Sequence, residues 1–296
     1  MQEKNSGKEI YILSFDLEEW FHILDVESLD SVRSWDRYES RIRENTFRIL
    51  EILKENKWKA SFFILGWVAR RYPELVRIIS DQGYEIGTHS MNHLLIYKIS
   101  RDRFREDLRK SIHVLEDISG KKVRNFRAPG FSIKKESLWA FEILAEEGIE
   151  IDSSIFPASR GHGGIKDFEF DHPFRIRTAG GSIKEFPMNV HRIWKFKIPF
   201  SGGGYFRVLP YYILKKLTQK SDYMMTYFHP RDFDAGQPVL KQLPLLRIFK
   251  SYWGLKKSQK KLLKWLKCHS FMDISTADQT VSWDNTPEFH TEELKS

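Results

Sequence analysis

The chain has 296 residues, of which 41% are hydrophobic and 14% aromatic, so it can bury a large core and is not a disordered chain. The 48 basic and 40 acidic residues give a formal net charge of +8. This excess is modest and no nucleic-acid recognition motif accompanies it, so we expect no nucleic-acid partner. The length suits one α/β barrel.

Two absences bear on the compartment in which the protein works. Cys268 is the only cysteine, so the chain cannot form an intrachain disulfide. The first residues lack the apolar core of a secretory signal, and no apolar run approaches the roughly 20 residues that span a bilayer. We therefore expect a cytoplasmic protein without a transmembrane segment.

In the first half of the chain, short β-branched and aromatic runs alternate with amphipathic segments. Strands are predicted at residues 10–15, 59–65, 84–88, 123–129 and 149–155. Helices are predicted between them, at residues 44–56, 68–83, 101–119 and 134–148. This order indicates parallel strands joined by crossover helices, in a Rossmann-like sheet or a barrel.

Beyond residue 160 the alternation is less regular. We predict a short strand at 182–188, a glycine loop that leads into a helix at 208–220, an apolar strand at 223–228 and a last strand near 271–275. No internal repeat or linker appears. The sequence therefore predicts one catalytic domain over residues 1–283 and a polar C-terminal tail over residues 284–296.

A lysine-rich helix is predicted just before the last strand. Six lysines between Lys256 and Lys267 alternate with leucines and Trp265 at roughly helical spacing. The lysines form either a solvated helix face or a surface for an anionic partner or a membrane. The sequence leaves both interpretations open.

Acidic, basic and histidine side chains follow the predicted strands at the points where the strands end. They are Asp16, Glu18, Glu19, His89, His93, Arg127, Asp152 and His229. In parallel α/β folds the loops at the carboxyl ends of the strands meet on one face, and the active site lies there. We therefore expect these side chains to surround a single cavity.

The residue types in this group suit hydrolysis of an amide or an ester. Two histidines and one carboxylate, with an open position, are a common ligand set for catalytic Zn²⁺. A further carboxylate can accept a proton from water, and an arginine beside it keeps it ionised. A histidine on the opposite side can protonate a leaving amine.

The motifs "SFDLEEW", "HSMNH", "RAPGF", "DSS" and "TYFHP" resemble, in order and spacing, those of the NodB-homology polysaccharide deacetylases, carbohydrate esterase family four. The resemblance spans about residues 10–275. "EFPMNVHR", "PFSGGGYFRVLP" and "YFHPRDFDAGQP" resemble the bacterial subgroup associated with exopolysaccharide and O-antigen synthesis. The resemblance implies a distorted (β/α) barrel and metal-dependent N-deacylation of a sugar.

The resemblance also implies roles for individual residues. His89 and His93 would bind the metal, which we expect to be Zn²⁺. Arg127 would hold the catalytic base, and His229 would be the general acid. The family's fourth motif usually ends in Asp-Trp, which reads Ile-Phe here, so Asp152 is only a candidate for the residue that orients His229.

The first motif departs from the family's usual pair of adjacent aspartates. Here Asp16 is followed by Leu17, and Glu18 and Glu19 come next. Alternation along a strand places Asp16 and Glu18 on one side and Glu19 on the other. We therefore expect Asp16 to be the base and Glu18 the third ligand, with Glu19, and then Asp16 itself, as alternative ligands.

The leading hypothesis is a metal-dependent hydrolase that removes an acetyl or formyl group from an amino sugar in surface polysaccharide synthesis. The sugar would be nucleotide-linked, lipid-linked or polymeric, and the expected absence of a secretory signal favours a linked precursor. Alternatives are a non-sugar amidase on the same barrel and a non-catalytic carbohydrate-binding descendant. His22, His162 and His172 are weaker ligand candidates. The aromatic Trp20 and Phe21 line a sugar site or pack in the core.

Overall fold

The computed structural model describes residues 9–24, 26, 32–159, 161–166, 168–193, 196–240 and 242–292. Its strands are β1 (Ile10–Ile12), β2 (Ser14–Leu17), β3 (Ser61–Ile64), β4 (Glu85–Thr88), β5 (Asn125–Phe126), β6 (Ile151–Asp152), β7 (Phe174–Thr178), β8 (Gly181–Glu185), β9 (His191–Ile193), β10 (Phe196–Ile198), β11 (Tyr223–Met225), β12 (Phe271–Met272) and β13 (Glu288–His290). Its α-helices are α1 (Val32–Trp35), α2 (Ile42–Asn56), α3 (Gly66–Arg71), α4 (Pro73–Asp81), α5 (Arg101–Ser119), α6 (Trp139–Glu146), α7 (Gly203–Val208), α8 (Tyr211–Thr218), α9 (Leu245–Tyr252), α10 (Leu255–Leu266) and α11 (Ile274–Thr280). Short 3-10 helices lie at Ile96–Lys98, Pro129–Phe131, Lys135–Ser137, Pro230–Phe233 and Trp283–Asn285.

Most of the strands belong to one large sheet. Its order is β13-β7-β8-β6-β5-β4-β3-β2, and β2, β3, β4, β5, β6 and β8 are mutually parallel neighbours. A second sheet places β1 between β11 and β12, both parallel to it. The helices between β2 and β6 provide the crossover connections that parallel neighbouring strands require.

The two sheets meet where β1 continues into β2. Phe15 of β2 makes a parallel bridge to Phe228, just beyond β11. On the other side, the Tyr223 hydroxyl donates to the Pro187 carbonyl at 2.7 Å, and the Met225 N–H donates to Asn189 Oδ1 at 3.2 Å. The strands thus form a distorted barrel completed partly by side-chain hydrogen bonds, which confirms the predicted fold class.

The central strands are buried on both faces. Every residue of β2 and β3 is buried, and the ring of Phe15 stacks on that of Phe62 with centroids 5.3 Å apart. Parallel strands covered by helices on one side and the barrel interior on the other favour continuous apolar runs. This explains why their sequences show little polar alternation.

One helix predicted as continuous is divided at a proline. The segment predicted at 68–83 forms α3 and α4, and α4 begins at Pro73. The helix predicted at 208–220 is α8, which begins after Pro210, and the short helix α7 lies before it in the predicted glycine loop. Proline lacks the N–H that an interior helical position donates but fits the start of a helix, so α4 and α8 begin at these residues.

The C-terminal tail predicted from residue 284 is not entirely a tail. β13 pairs in parallel with β7, and Phe289 is buried against the aromatic residues Phe168 and Phe174. The residues around this strand are mostly polar, and Phe289 is its one inward-facing aromatic side chain, so composition alone does not predict the strand. The prediction is therefore wrong for Glu288–His290.

The predicted lysine-rich helix is α10, and it buries Leu255, Leu262, Trp265 and Leu266 while most of its lysines are exposed. The helix before it, α9, was not predicted. Among the described residues, no helix combines the length and apolarity needed to cross a bilayer.

Candidate active site

A cavity of about 380 Å³ opens where β2, β4 and β11 end. Its lining includes Asp16, Glu18, His89, His93 and His229, which are five of the eight side chains predicted to meet there. The carboxyl ends of three separate strands thus bring together residues that are up to 213 positions apart in the sequence.

Glu18, His89 and His93 form the most compact group in this cavity. One ligand atom from each lies within 4.8 Å of the others, and all three residues are buried. The Glu18 Oε2 atom lies 2.5 Å from His93 Nε2. Burial would raise the pKa of Glu18, but the neighbouring His93, His229 and His89 lower it overall. The carboxylate is therefore held ionised, as a cation ligand must be.

The hydrogen bond on the far side of the His89 ring fixes its tautomer. His89 Nδ1 lies 2.8 Å from the Arg127 carbonyl and donates to it, which leaves the Nε2 lone pair free. Burial lowers the pKa of His89 to about 4, against the opposing effect of Asp16 and Glu18. The ring is therefore neutral at neutral pH, which is the form that binds a metal ion.

The two histidines lie on a tight turn after β4 rather than on a helix. Ser90 and His93 have left-handed φ angles of 67° and 55°. Asp107 of α5 holds the turn, because one of its oxygens accepts from the Met91 N–H at 2.7 Å and the other from Asn92 Nδ2 at 3.0 Å. The rings thus converge through turn geometry and not through one turn of helix.

Asp16 and Arg127 form a buried ion pair beside this group. Arg127 Nη1 lies 2.6 Å from Asp16 Oδ1, and both side chains are almost fully buried. The guanidinium also donates to Ser14 and Ser153, and it lies 4.1 Å from the centroid of the Phe63 ring. A guanidinium with this many partners fixes the position of the Asp16 carboxyl group.

Replacing Arg127 with methionine is expected to destabilise the fold strongly. The substitution leaves Asp16 as a buried charge without its cation, which typically costs about 3–5 kcal/mol in the free energy of unfolding. The matched control is Arg101→Met, because Arg101 pairs with Glu142 at the surface and such pairs contribute about 0–1 kcal/mol. Urea unfolding measures both. Equal losses in the two variants would contradict a structural role for the Arg127 pair.

His229 lies on the other side of Asp16 and Glu18. Its Nε2 is 3.8 Å from Asp16 Oδ2 and 3.6 Å from Glu18 Oε1, and its Nδ1 is 3.0 Å from Asp232 Oδ2. Burial would lower the pKa of His229, but the hydrogen bond to Asp232 and the nearby carboxylates raise it to about 9. The ring is therefore a protonated acid at neutral pH.

The residue that orients His229 is Asp232 and not Asp152. Asp152 ends β6, accepts hydrogen bonds from Ser154, and lies opposite Glu185 of the neighbouring β8. Burial raises the pKa of both of these carboxyls. The Asp152 prediction is wrong because a position at a strand end does not determine which partner the side chain meets.

Asp232 was missed although a local signal was available. It follows His229 by three residues in "HPRD", and it also accepts the backbone N–H of His229 at 2.9 Å where a 3-10 helix begins. A histidine that precedes a proline and is followed three residues later by a carboxylate matches a capping pattern. Asp232 additionally lies 3.1 Å from the buried Arg207.

Glu19 points away from the cavity. Its carboxylate accepts the backbone N–H groups of Arg41 and Ile42 at the start of α2, and it also accepts from the Ser40 hydroxyl. It therefore acts as a helix cap supplied from outside the helix. This orientation is the one that strand alternation predicts, and the ligand role of Glu18 stays a prediction.

Of the weaker histidine candidates, His22 and His162 line the cavity. His22 is buried, and its Nδ1 accepts the Glu19 N–H at 3.1 Å. His172 is not a lining residue and instead bonds Asp171 and Asp222.

The aromatic wall of the cavity differs from the one considered in the sequence. Trp20 and Phe21 are buried in the core, and Trp20 Nε1 donates to the Glu39 carbonyl at 2.8 Å. The aromatic side chains that line the cavity are Phe131, Tyr205, Tyr227 and Phe249. They come from loops and helices whose side-chain directions no local pattern predicts.

The glycine loop lies along this wall. A Cβ atom at Gly202 would lie 2.2 Å from the Tyr227 carbonyl oxygen, so only glycine fits there. Gly203, with a φ of 51°, and Gly204 line the cavity. The loop thus passes close to the Tyr227 backbone at Gly202 and presents backbone to the cavity at the next two residues.

Two family models match the chain, in adjacent segments. Polysaccharide deacetylase matches residues 32–147, which contain both turn histidines and Arg127. Domain of unknown function (DUF3473) matches residues 153–279, which contain His229 and Asp232. Asp16 and Glu18 precede both segments.

Individual relatives agree with the first model. A peptidoglycan-N-acetylglucosamine deacetylase of Bacillus cereus is 33% identical over 100 residues, which cover 33% of this chain and 36% of that protein. The chain therefore spans about a third of the length of this curated relative.

Two solved structures share the fold across most of both chains. A Mycobacterium smegmatis protein assigned to the polysaccharide deacetylases has a TM-score of 0.67 and 18% identity, and the match covers 98% of this chain and 95% of that one. Puue allantoinase has a TM-score of 0.57 and 12% identity, with 91% and 88% covered. At these identities the likeness concerns the fold alone.

Proposed function

We propose that the chain hydrolyses the N-acyl group of an amino sugar, because its residues 32–147 match the model of the polysaccharide deacetylases that its motifs resemble. The observation that carries the proposal is the arrangement of Glu18, His89 and His93 beside Asp16 and His229 in one cavity. A binding protein has no need of both a proton acceptor and a proton donor beside such a ligand group. The same observation therefore disfavours a non-catalytic carbohydrate-binding role.

The ligand group fits a divalent cation, and two histidines with one carboxylate suit Zn²⁺ in particular. The chemistry that such an ion supplies is polarisation of an acyl carbonyl and activation of water. Two of the three ligands are in the required state, because His89 is neutral and Glu18 is ionised.

The remaining residues would handle protons. Asp16, held by Arg127, would accept the proton of the attacking water. His229, held by Asp232, would donate its Nε2 proton to the amine nitrogen as the C–N bond breaks. Both groups face the ligand group, so one bound acyl carbon would lie within reach of each.

The substrate that we propose is an N-acetyl or N-formyl amino sugar of a surface polysaccharide. The relative that acts on peptidoglycan N-acetylglucosamine supports an acetylated hexosamine. The cavity of about 380 Å³ is at the lower end of the range for ligand sites and suits about one sugar unit, with aromatic faces available for stacking. A role in O-antigen or exopolysaccharide synthesis is the narrower form of this proposal.

A non-sugar amidase is the second candidate. The fold likeness to Puue allantoinase shows that this barrel also occurs in an enzyme whose name refers to a substrate that is not a sugar. The chemistry proposed for the acid and the base would be the same. Only the parts of the substrate outside the cleaved amide would differ.

Amine release from a panel of N-acyl sugars, measured beside ring opening of allantoin to its carboxylate, tests the proposal. The protein would be freed of metal and reloaded with Zn²⁺, Co²⁺ or Mn²⁺. We expect metal-dependent amine release from at least one N-acetyl or N-formyl hexosamine derivative and no ring opening of allantoin. Ring opening of allantoin without amine release from any sugar would replace the sugar proposal with the amidase, and neither reaction with any metal would overturn both.

Asp232→Asn is expected to move the basic limb of the pH–rate profile to lower pH. A histidine whose pKa is raised to about 9 stays protonated below that pH and loses its proton as the pH rises through it. Asparagine supplies no negative charge, so the pKa of His229 falls toward or below the ordinary value of about 6.5. The measurement is kcat against pH on an amide substrate.

The matched control is Asp171→Asn. Asp171 bonds His172, whose pKa is also raised to about 9, but neither residue lines the cavity. The control should leave the profile unchanged. A basic limb that stays in place in Asp232→Asn would remove His229 from the acid role.

A further inference from the structure

Helix α9 presents large apolar side chains to solvent. Leu245 is 85% exposed, Leu246 66%, Phe249 43% and Trp253, at the helix end, 57%. No residue of this helix is buried. The rings of Phe249 and Trp253 stack on each other, with centroids 5.0 Å apart, rather than on the core. We call these four residues the α9 face.

The other side of the helix attaches it firmly to the site. Ile248 and Tyr252 pack against the main hydrophobic cluster. The buried Arg207 guanidinium donates to the carbonyls of Lys250, Ser251 and Trp253 at 2.8–3.2 Å. The exposed apolar side chains are therefore held in place on an anchored helix and do not belong to a frayed end.

The α9 face borders the mouth of the active-site cavity. Leu246 and Phe249 line that cavity together with Asp16 and His229. Tyr205 and Val208 of α7, which contacts α9, also line it and are themselves 36% and 38% exposed. The apolar surface thus continues from solvent to the opening of the site.

The charge of the chain is concentrated around the same segment. Residues 235–272 contain nine of the 48 basic residues and none of the 40 acidic ones. The rest of the chain, with 39 basic and 40 acidic residues, is almost neutral. Lys250 is exposed on α9 itself, and the exposed Lys256 and Lys257 follow Trp253 within four residues.

We infer that the α9 face and the basic residues of segment 235–272 bind the surface of a bilayer that contains anionic lipids. Leucine, phenylalanine and tryptophan on a short amphipathic helix enter the boundary between headgroups and acyl chains, and flanking lysines contact anionic headgroups. The acid, base and ligand residues of the cavity take no part in this contact, so the inference does not depend on the deacylase chemistry. Its consequence for that chemistry is that the cavity opens beside the headgroups, where a lipid-linked sugar would be presented.

Co-sedimentation with vesicles tests the inference on the full chain. We expect binding to vesicles of phosphatidylcholine mixed with phosphatidylglycerol, little binding to phosphatidylcholine alone, and release at high salt. Leu246→Ser combined with Phe249→Ser should weaken binding, and so should Lys256→Glu combined with Lys257→Glu, each by at least about tenfold. Thermal unfolding of each variant checks that it remains folded.

The matched charge control is Lys54→Glu combined with Lys122→Glu. These exposed lysines lie outside segment 235–272, and their reversal changes the net charge equally. Equal loss of binding in the control would overturn the inference, because attraction would then depend on total charge alone. Failure of the wild type to bind mixed vesicles would overturn it as well.

Two further measurements separate this inference from its alternatives. His93→Ala should bind vesicles as the wild type does, so loss of the proposed activity and loss of membrane binding are distinguishable. Light scattering of the wild type and of the Leu246→Ser, Phe249→Ser variant reports self-association. A dimer that this variant converts to a monomer would assign the α9 face to a second copy of the chain and overturn membrane binding.

Discussion

His93→Ala, and equally His89→Ala, is expected to abolish both stoichiometric metal binding and deacylation while the protein remains folded. Each variant removes one of the three atoms that lie within 4.8 Å of one another, and a Zn²⁺ site rarely persists with two protein ligands. Elemental analysis of purified protein measures the metal, and amine release from the substrate measures activity. Full metal occupancy in the double variant would show that the ion binds elsewhere.

A comparison of two variants, at Glu18 and at Glu19, tests which carboxylate binds the metal. Glu18→Gln should lose metal, because Glu18 Oε2 faces the His93 ring at 2.5 Å. Glu19→Gln should retain metal and activity, because Glu19 accepts hydrogen bonds at the start of α2. Its cost should be a lower free energy of unfolding, by about 0.5–2 kcal/mol. Metal loss in Glu19→Gln alone would show that Glu19, and not Glu18, is the carboxylate ligand.

Asp16→Asn is expected to retain metal and to lower kcat by roughly 10²–10⁴-fold, the usual contribution of a positioned acid or base. Asparagine keeps the shape of the side chain and can still accept from Arg127, but its amide oxygen cannot take a proton from water at neutral pH. The measurement combines kcat with metal content on the same preparation. Glu19→Gln again serves as the control, since it changes a neighbouring carboxylate outside the cavity.

A different outcome for Asp16→Asn would be equally informative. If the variant loses metal together with activity, Asp16 is a ligand and the alternative left open in the sequence is correct. If it keeps both, the base is another group.

Much of the site could be predicted from the sequence because it lies at strand ends. Asp16 lies near the end of β2, His89 directly follows β4 and His229 lies shortly beyond β11, and parallel topology brings such positions together. The orientations of Glu18 and Glu19 followed from alternation, since the chain remains extended through the end of β2 at Leu17. These predictions rest on local patterns that the fold does not override.

The partners of these residues were harder to predict. Asp232 meets His229 within a 3-10 helix, and the strand-end rule does not apply there. Asp152 lies at a strand end as expected, but the register of β6 and β8 places it opposite Glu185. Such pairings depend on which strands are neighbours, and this is set by contacts between distant segments.

The same reason explains the elements that were missed. β7 was not predicted and pairs antiparallel with β8, the strand predicted at 182–188, while β13 joins β7 from more than 100 residues away. Polar composition gave no indication of either pairing. The amphipathic pattern of α9 was equally hard to interpret, because its apolar side faces solvent.

β13 has a consequence for how the protein behaves when it is shortened. It pairs with the edge of β7 that does not face β8. Glu288 pairs with Arg177 at 2.9 Å, and Phe289 covers Phe168 and Phe174. A chain cut after residue 283 would keep every residue of the active site but would expose a row of unpaired β7 backbone groups beside an uncovered aromatic patch. Exposed sheet edges of this kind recruit strands from other molecules. Such a protein would precipitate through edge-to-edge pairing although its candidate active site is complete.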